Sequence, residues 1–153
     1  MSELRDSEVL YFVIRKKGFA LPLSGIVEII LYQKPEVVPQ FHDPFKGVID
    51  LRGKVIPVID FGAVLEVDEA APPSEHILIV RFKKTVMGLM VDQVKGVLYL
   101  SEDQLQAASF VDKARSKYLK GIFKNREDLI MLLDLNQLMD LEGYQMLNQL
   151  VKG

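Results

Sequence analysis

Apolar residues in this chain gather in short runs rather than at helical intervals. The runs 9–14, 27–32, 47–51, 55–59, 77–82, 86–91, 94–100 and 129–133 are each of strand length and rich in Val, Ile, Leu and aromatic residues. Turn residues separate them, so the pattern predicts a mainly β chain. Many runs are apolar at consecutive positions, and a strand with two apolar faces must be covered twice. That favours packed barrels over one open sheet with a wetted face. Helices are predicted to be few and short. Asp60 precedes the apolar-periodic stretch 61–65, and Asp134 precedes 135–139. An Asp in that position is a good N-cap, because its carboxylate accepts the first unpaired backbone N–H groups. Ser101-Glu102-Asp103-Gln104 resembles a further helix start. The tail 142–153 sets Tyr144, Leu147 and Val151 on one helical face and predicts a last helix.

The pattern also repeats. At an offset of 68 residues, VLYFVIRKKGFALPL (9–23) lies over ILIVRFKKTVMGLMV (77–91), each reading as strand, basic turn, strand. At an offset of 74, KGVIDLRGKVIPVIDFGAVLEV (46–67) lies over KGIFKNREDLIMLLDLNQLMDL (120–141), with Lys-Gly, Arg, Ile and Asp coinciding. An ordered recurrence of elements points to two related β subdomains, 9–67 and 77–141, within one domain spanning 8–141. The stretch 68–75, acidic and proline-bearing, reads as the linker between them.

Composition narrows the chemistry. The chain has 153 residues, 49% hydrophobic and 26% charged, which is a globular profile long enough to build a core without metal or disulfide. It has no cysteine, which excludes thiol nucleophiles, thiolate zinc sites and iron–sulfur clusters together. Net charge is -2, so no field of one sign draws nucleic acid or an anionic membrane. No apolar stretch is long enough to span a bilayer, and the start MSELRDSE has no signal-like apolar region. The two histidines, His42 and His76, have no metal-ligand spacing and read as surface or strand-end residues. Asp60, Asp92 and Asp134 each follow an apolar run. Their convergence on a cation in a ligand- or metal-binding barrel is the alternative to capping. The basic tips Arg15-Lys16-Lys17 and Lys83-Lys84 read as solvated turns, since no aromatic-interleaved basic groove accompanies them.

One stretch asks for more than stability. Gly47-Val48-Ile49-Asp50-Leu51-Arg52-Gly53-Lys54-Val55-Ile56-Pro57-Val58-Ile59-Asp60 puts an arginine in a tight turn between two strands. This G-V-x-x-L-R-G-x-x-x-P-V-x-D pattern resembles the CheW-like domain family, the bacterial chemotaxis coupling proteins. Ile26-Val27-Glu28-Ile29 is similar to that family's V-x-E-I segment, and Gly88-Leu89-Met90-Val91-Asp92-Gln93-Val94 to its G-x-x-V-D-x-V segment. The resemblance covers about 8–141. It implies two five-stranded, SH3-like β-barrels sharing a hydrophobic core and a non-enzymatic scaffold without cofactor. The implied partners are the cytoplasmic tips of methyl-accepting chemoreceptors and the regulatory domain of the histidine kinase CheA. The implied location is the cytoplasm, with recruitment to membrane-associated receptor arrays through those partners, in a flagellar or other chemosensory pathway. The implied partner-binding residues are Arg52 above all, with Ile26, Glu28 and Gly47, and with Val91, Asp92 and Val94 on the second-half strand that by analogy lines the receptor-binding groove between the barrels. Two positions depart from the family pattern. Asp50 stands where Asn is usual, with a charge placed to pair with Arg52 or to alter partner electrostatics, and Phe61 stands where Leu is common.

Overall fold

Strand β1 (Ser7–Ile14) shows why the runs are apolar on both faces. Val9 and Tyr11 point into one cluster with Ala20, Leu100, Phe123, Ile130 and Leu132. Leu10, Phe12 and Ile14 point the other way, into a larger cluster. In this computed structural model residues 7–39, 44–67, 73–109 and 113–139 are described. Among them the further strands are β2 (Lys17–Pro22), β3 (Ile26–Leu31), β4 (Phe45–Leu51), β5 (Lys54–Ile59), β6 (His76–Phe82), β7 (Thr85–Val91), β8 (Gln93–Leu100), β9 (Leu119–Asn125) and β10 (Asp128–Leu133). The helices are α1 (Phe61–Val64), α2 (Lys113–Ser116) and α3 (Leu135–Met139), with short 3-10 turns at Leu23–Gly25 and Glu102–Gln104. The eight apolar runs fall in strands, the run 27–32 reaching one residue past β3, and β2 and β9 add the partners that the repeat implied. Asp60 and Asp134 cap α1 and α3 as expected, accepting from the Gly62 N–H at 3.0 Å and the Gln137 N–H at 3.2 Å. The helical tail expected over 142–153 lies outside the described residues, as does His42.

The strands form two five-stranded sheets, ordered β8-β1-β2-β10-β9 and β3-β6-β7-β5-β4. The two orders correspond strand for strand under the sequence offsets. Val9 pairs with Pro22 as Ile77 pairs with Met90, and Phe45 pairs with Ile59 as Leu119 pairs with Leu133. Each sheet closes around its own apolar interior. Ile49, Ile56, Val58, Ile77 and Ile79 fill the β3–β7 barrel. Between the barrels runs the larger cluster, which joins Phe12, Phe19 and Leu21 of one to Phe45, Phe61, Leu78 and Leu89 of the other. Phe61, in place of the smaller leucine, is fully buried there and meets Phe19 and Tyr118 edge-on, with centroids 6.2 and 5.8 Å apart.

The division between the barrels is not the division between the sequence halves, which corrects the expected subdomains 9–67 and 77–141. Hairpin β1–β2 leaves its own half and completes the sheet of β8, β9 and β10, while β6–β7 completes that of β3, β4 and β5. The chain crosses between sheets twice, at Leu23–Gly25 and at Asp92. Similarity between two hairpins says that they occupy equivalent places, not which half each one joins. The stretch expected as linker, 68–75, therefore joins two strands of one barrel, β5 and β6; its residues 68–72 are outside the described set.

Because each barrel draws strands from both halves, neither half holds a complete sheet. Cutting the chain between Ala70 and Ala71 should leave two fragments with no cooperative thermal transition by circular dichroism, and mixing them should restore one. A fragment that melts cooperatively by itself would contradict the exchange.

Candidate functional site

Register places Arg52 and Gly53 as the two-residue loop of hairpin β4–β5, since Leu51 pairs with Lys54. Both have positive φ, 51° and 87°, as a type I′ turn requires. The Asp50 carboxylate accepts the Gly53 N–H at 2.8 Å and so fastens the turn from below. Asp50 is thus spent on the turn backbone, and Arg52 pairs elsewhere. Its guanidinium reaches β3 and makes a two-pronged ion pair with Glu28, Nη2 on Oε1 and Nη1 on Oε2 at 3.4 Å. The carboxylate beside it raises the already high pKa of Arg52, chiefly through the hydrogen bond. The Arg52 side chain is 71% exposed and that of Glu28 30%. An ion pair so open to water contributes little to folding. Beside it stand the exposed apolar side chains Val27 on β3 and Val55 on β5, a combination that marks a surface built for contact.

The other expected site residues serve this surface from within. Ile26 opens β3 and is half-buried against the shared core, and Val94 takes the corresponding place at the start of β8. Gly47 sits in a β-bulge of β4 at φ 141°, where a Cβ would stand 2.1 Å from the Glu36 carbonyl oxygen. Only glycine permits that approach. Val91, on the strand that the resemblance sets along a groove, has its own side chain fully buried in the shared core. Asp92 is buried too, and its carboxylate is engaged inside the protein, accepting the Arg15 N–H at 2.5 Å and the Lys16 N–H.

Arg15 is the residue that sequence reasoning misplaced. Expected as part of a solvated tip, it turns inward at the seam between the barrels. Its Nη2 meets the Asp60 Oδ2 at 2.5 Å and its Nη1 donates to the Val67 carbonyl at 2.9 Å. Arg15 comes from the β1–β2 turn, Asp60 and Val67 follow β5, and Asp92 is the crossover itself. One guanidinium therefore ties both barrels at the point where the chain changes sheets. Gly62 makes room for it; a Cβ there would lie 2.7 Å from Nε. The glycine after the capping Asp was the one available signal, and by itself it reads equally well as helix start. Asp60 and Asp92 do converge, but on Arg15, while Asp134 caps α3. Among the described residues no group of three or more His, Asp and Glu side chains is placed to hold a metal ion, and no helix is long and apolar enough to cross a membrane.

Two fused barrels that fix an exposed ion pair among apolar side chains have the build of a protein-binding module. The comparisons place it further: a family model for the CheW-like domain matches residues 8–143, and the chain belongs to that family. It is 32% identical over 137 residues to a Chemotaxis protein CheW of Thermotoga maritima, covering 90% of each chain. It is 29% identical over 147 residues to one of Bacillus subtilis, covering 94% of each. Its fold matches the scaffolding protein TtCheW from Thermoanaerobacter tengcongensis with a TM-score of 0.81 over 90% of both chains, at 24% identity.

The junction makes a prediction about charge. Burial pushes the Asp92 carboxyl above its usual range, opposed by the Arg15 and Lys16 N–H groups and by Arg15, and assisted by Asp60. A folded pKa raised above the unfolded one means a stabilising contribution below the unfolded pKa that is lost as pH rises through the folded value. At neutral pH the charge itself is thus a cost, while the oxygen is needed as an acceptor. Asp92→Asn should melt at or above the parent temperature at pH 7. Asp92→Ala should lose roughly 1–3 kcal/mol, because buried turn N–H groups go unpaired. Equal destabilisation by both in thermal melts would contradict this account.

Proposed function

We propose that this chain is a non-enzymatic chemotaxis adaptor that couples chemoreceptor cytoplasmic tips to the regulatory domain of the histidine kinase CheA. The observation that carries the reading is the Glu28–Arg52 pair, held on a fixed turn, open to water, and set beside exposed Val27 and Val55. Such an arrangement adds little to stability and offers a partner both a directional charge and apolar area. Family membership supports this choice of partners. Ile26, Gly47 and Val94 shape the faces that carry the contacts, and Asp92 and Val91 fix the crossover beneath them. Near-neutral net charge suits a scaffold whose partners are proteins. In this reading the chain works in the cytoplasm and is held at receptor arrays by its partners, with modest pairwise affinities multiplied by the array.

Coupling is measured as receptor-dependent activation of kinase autophosphorylation, together with retention of each partner at micromolar concentration. Arg52→Glu should leave the melting temperature within about 3 °C of the parent, because the side chain packs against so little. The same change should cut receptor-dependent activation by about tenfold, since it reverses a charge at the contact. Unfolding of the variant would make Arg52 a structural residue. Full activation by a folded variant would remove it from the coupling surface.

A further inference from the structure

The chain changes barrel at two places that correspond under the sequence offsets, and the two are finished differently. At Asp92 the seam is closed from within. The Asp92 carboxylate accepts the Arg15 and Lys16 N–H groups of the β1–β2 turn, and the Arg15 guanidinium bonds Asp60 and lies over Gly62. At the Leu23–Gly25 crossover the corresponding residues are Ser24 for Asp92, Lys83 for Arg15, Asp134 for Asp60 and Asn136 for Gly62. One carboxylate, the guanidinium and the glycine that makes room for it are all replaced. The four residues at the second crossover line one cavity of about 1130 Å³.

The exchange removes an anion and gathers cations. Ser24 is uncharged and exposed on its 3-10 turn, whereas Asp92 is buried. The β6–β7 turn repeats the β1–β2 turn: Phe82 pairs with Thr85 around a two-residue loop whose first residue, Lys83, has φ 58° against 50° for Arg15. The loop N–H groups of such a turn take no part in the ladder, and the first turn satisfies its own with Asp92. Arg81 stands where the first crossover has Val13, and it shares the cavity lining with Lys83 and, from β9, Lys120. The lining also holds two carboxylates, Glu8 and Asp134, and Asp134 has already given one oxygen to the cap of α3. Three cations, with the Ser24 hydroxyl and the Asn136 amide, offer more donors than the two oxygens of one carboxylate accept. A phosphate monoester brings three terminal oxygens and a charge of about −2.

We propose that the cavity at the β2–β3 crossover binds a small phosphate monoester, its phosphoryl group taking the part that the Asp92 carboxylate takes at the other crossover. Arg81, Lys83 and Lys120 meet the phosphoryl oxygens, and Ser24 and Asn136 donate to them. The cavity is larger than a phosphate ion, and the organic body of the ester lies along Leu23 and Leu135 on the same lining. The bound ester then joins the crossover, the β6–β7 turn and the start of α3, as Arg15 and Asp92 join the elements of the first seam. The demand for an anion comes from the crossover alone and stands whether or not the adaptor reading does.

The test is an NMR titration of the full chain with adenosine monophosphate, glucose 6-phosphate and glycerol 3-phosphate. Adenosine, inorganic phosphate and succinate serve as controls. At least one ester should bind at roughly 1 mM or below, with backbone shifts at Ser24, Gly25, Lys83, Lys120 and Asn136, and should raise the melting temperature. Ser24→Asp places a carboxylate where the phosphoryl group sits, so it should weaken the ester by about tenfold or more while keeping the parent's fold. Lys83→Glu with Lys120→Glu should weaken it as much. Lys124→Glu, an exposed charge of β9 outside the cavity, should leave binding unchanged. If the double reversal fails to fold, Ser24→Asp decides. Binding by none of the esters, shifts away from the crossover, or undiminished binding by folded Ser24→Asp would overturn the proposal. Succinate or adenosine binding as strongly as the ester would overturn the assignment to a phosphoryl group, and inorganic phosphate doing so would overturn the assignment to an ester.

Discussion

Everything in this fold depends on covering both apolar faces of the exchanged hairpins. Strand β1 cannot leave Val9 and Tyr11, or Leu10, Phe12 and Ile14, in water. A barrel closed on one side of the hairpin buries the first set, and a second barrel pressed on the other side buries the rest. Strand β6 has the same need, with Ile77 and Ile79 on one face and Leu78 and Val80 on the other. Exchange of the hairpins meets both needs with one shared core. The barrels therefore cannot swing apart as two domains on a linker would. Surfaces on either barrel keep a fixed mutual geometry, which is what a scaffold between two proteins requires.

Two arginines in similar tight turns show how burial separates structure from function. Arg15 and Arg52 each sit at the start of a two-residue hairpin loop with φ near +50°. Arg15 is drawn into the seam, bonded to Asp60 and to the Val67 carbonyl, and holds the crossover together. Arg52 stands out in water with Glu28. The same guanidinium–carboxylate chemistry is an internal clasp in one place and an exposed recognition group in the other. Desolvation, not residue type, makes the difference.

That difference also explains what could be read from the chain alone. Strand positions were legible because apolar runs and turn residues are local. The capping of α1 and α3 by Asp60 and Asp134 was legible for the same reason. The repeat itself was legible because equivalent hairpins carry one apolar pattern. The exchange was not legible, because equivalent hairpins fit either barrel and only the short crossovers decide. Arg15 looked like Lys16 and Lys17, and nothing local says that one of three basic residues faces inward. Val91 and Asp92 follow a motif whose resemblance pointed to a groove. Burial was invisible there, since the strand that covers them comes from the other half. Glu28 and Arg52, far apart in sequence, were singled out separately, and their pairing needed the barrel to close.

The central claim is that Arg52 is itself recognised, and that its bond to Glu28 is not what coupling requires. The direct measurement is receptor-dependent kinase activation by the double exchange Glu28→Arg with Arg52→Glu. The exchange restores an ion pair across the same two strands and should keep the parent's melting temperature. The account predicts a stable chain that still fails to couple, because the cation now projects from β3 instead of from the turn. Restored activation in the double exchange would show that the pair, and not the position of the arginine, is what matters.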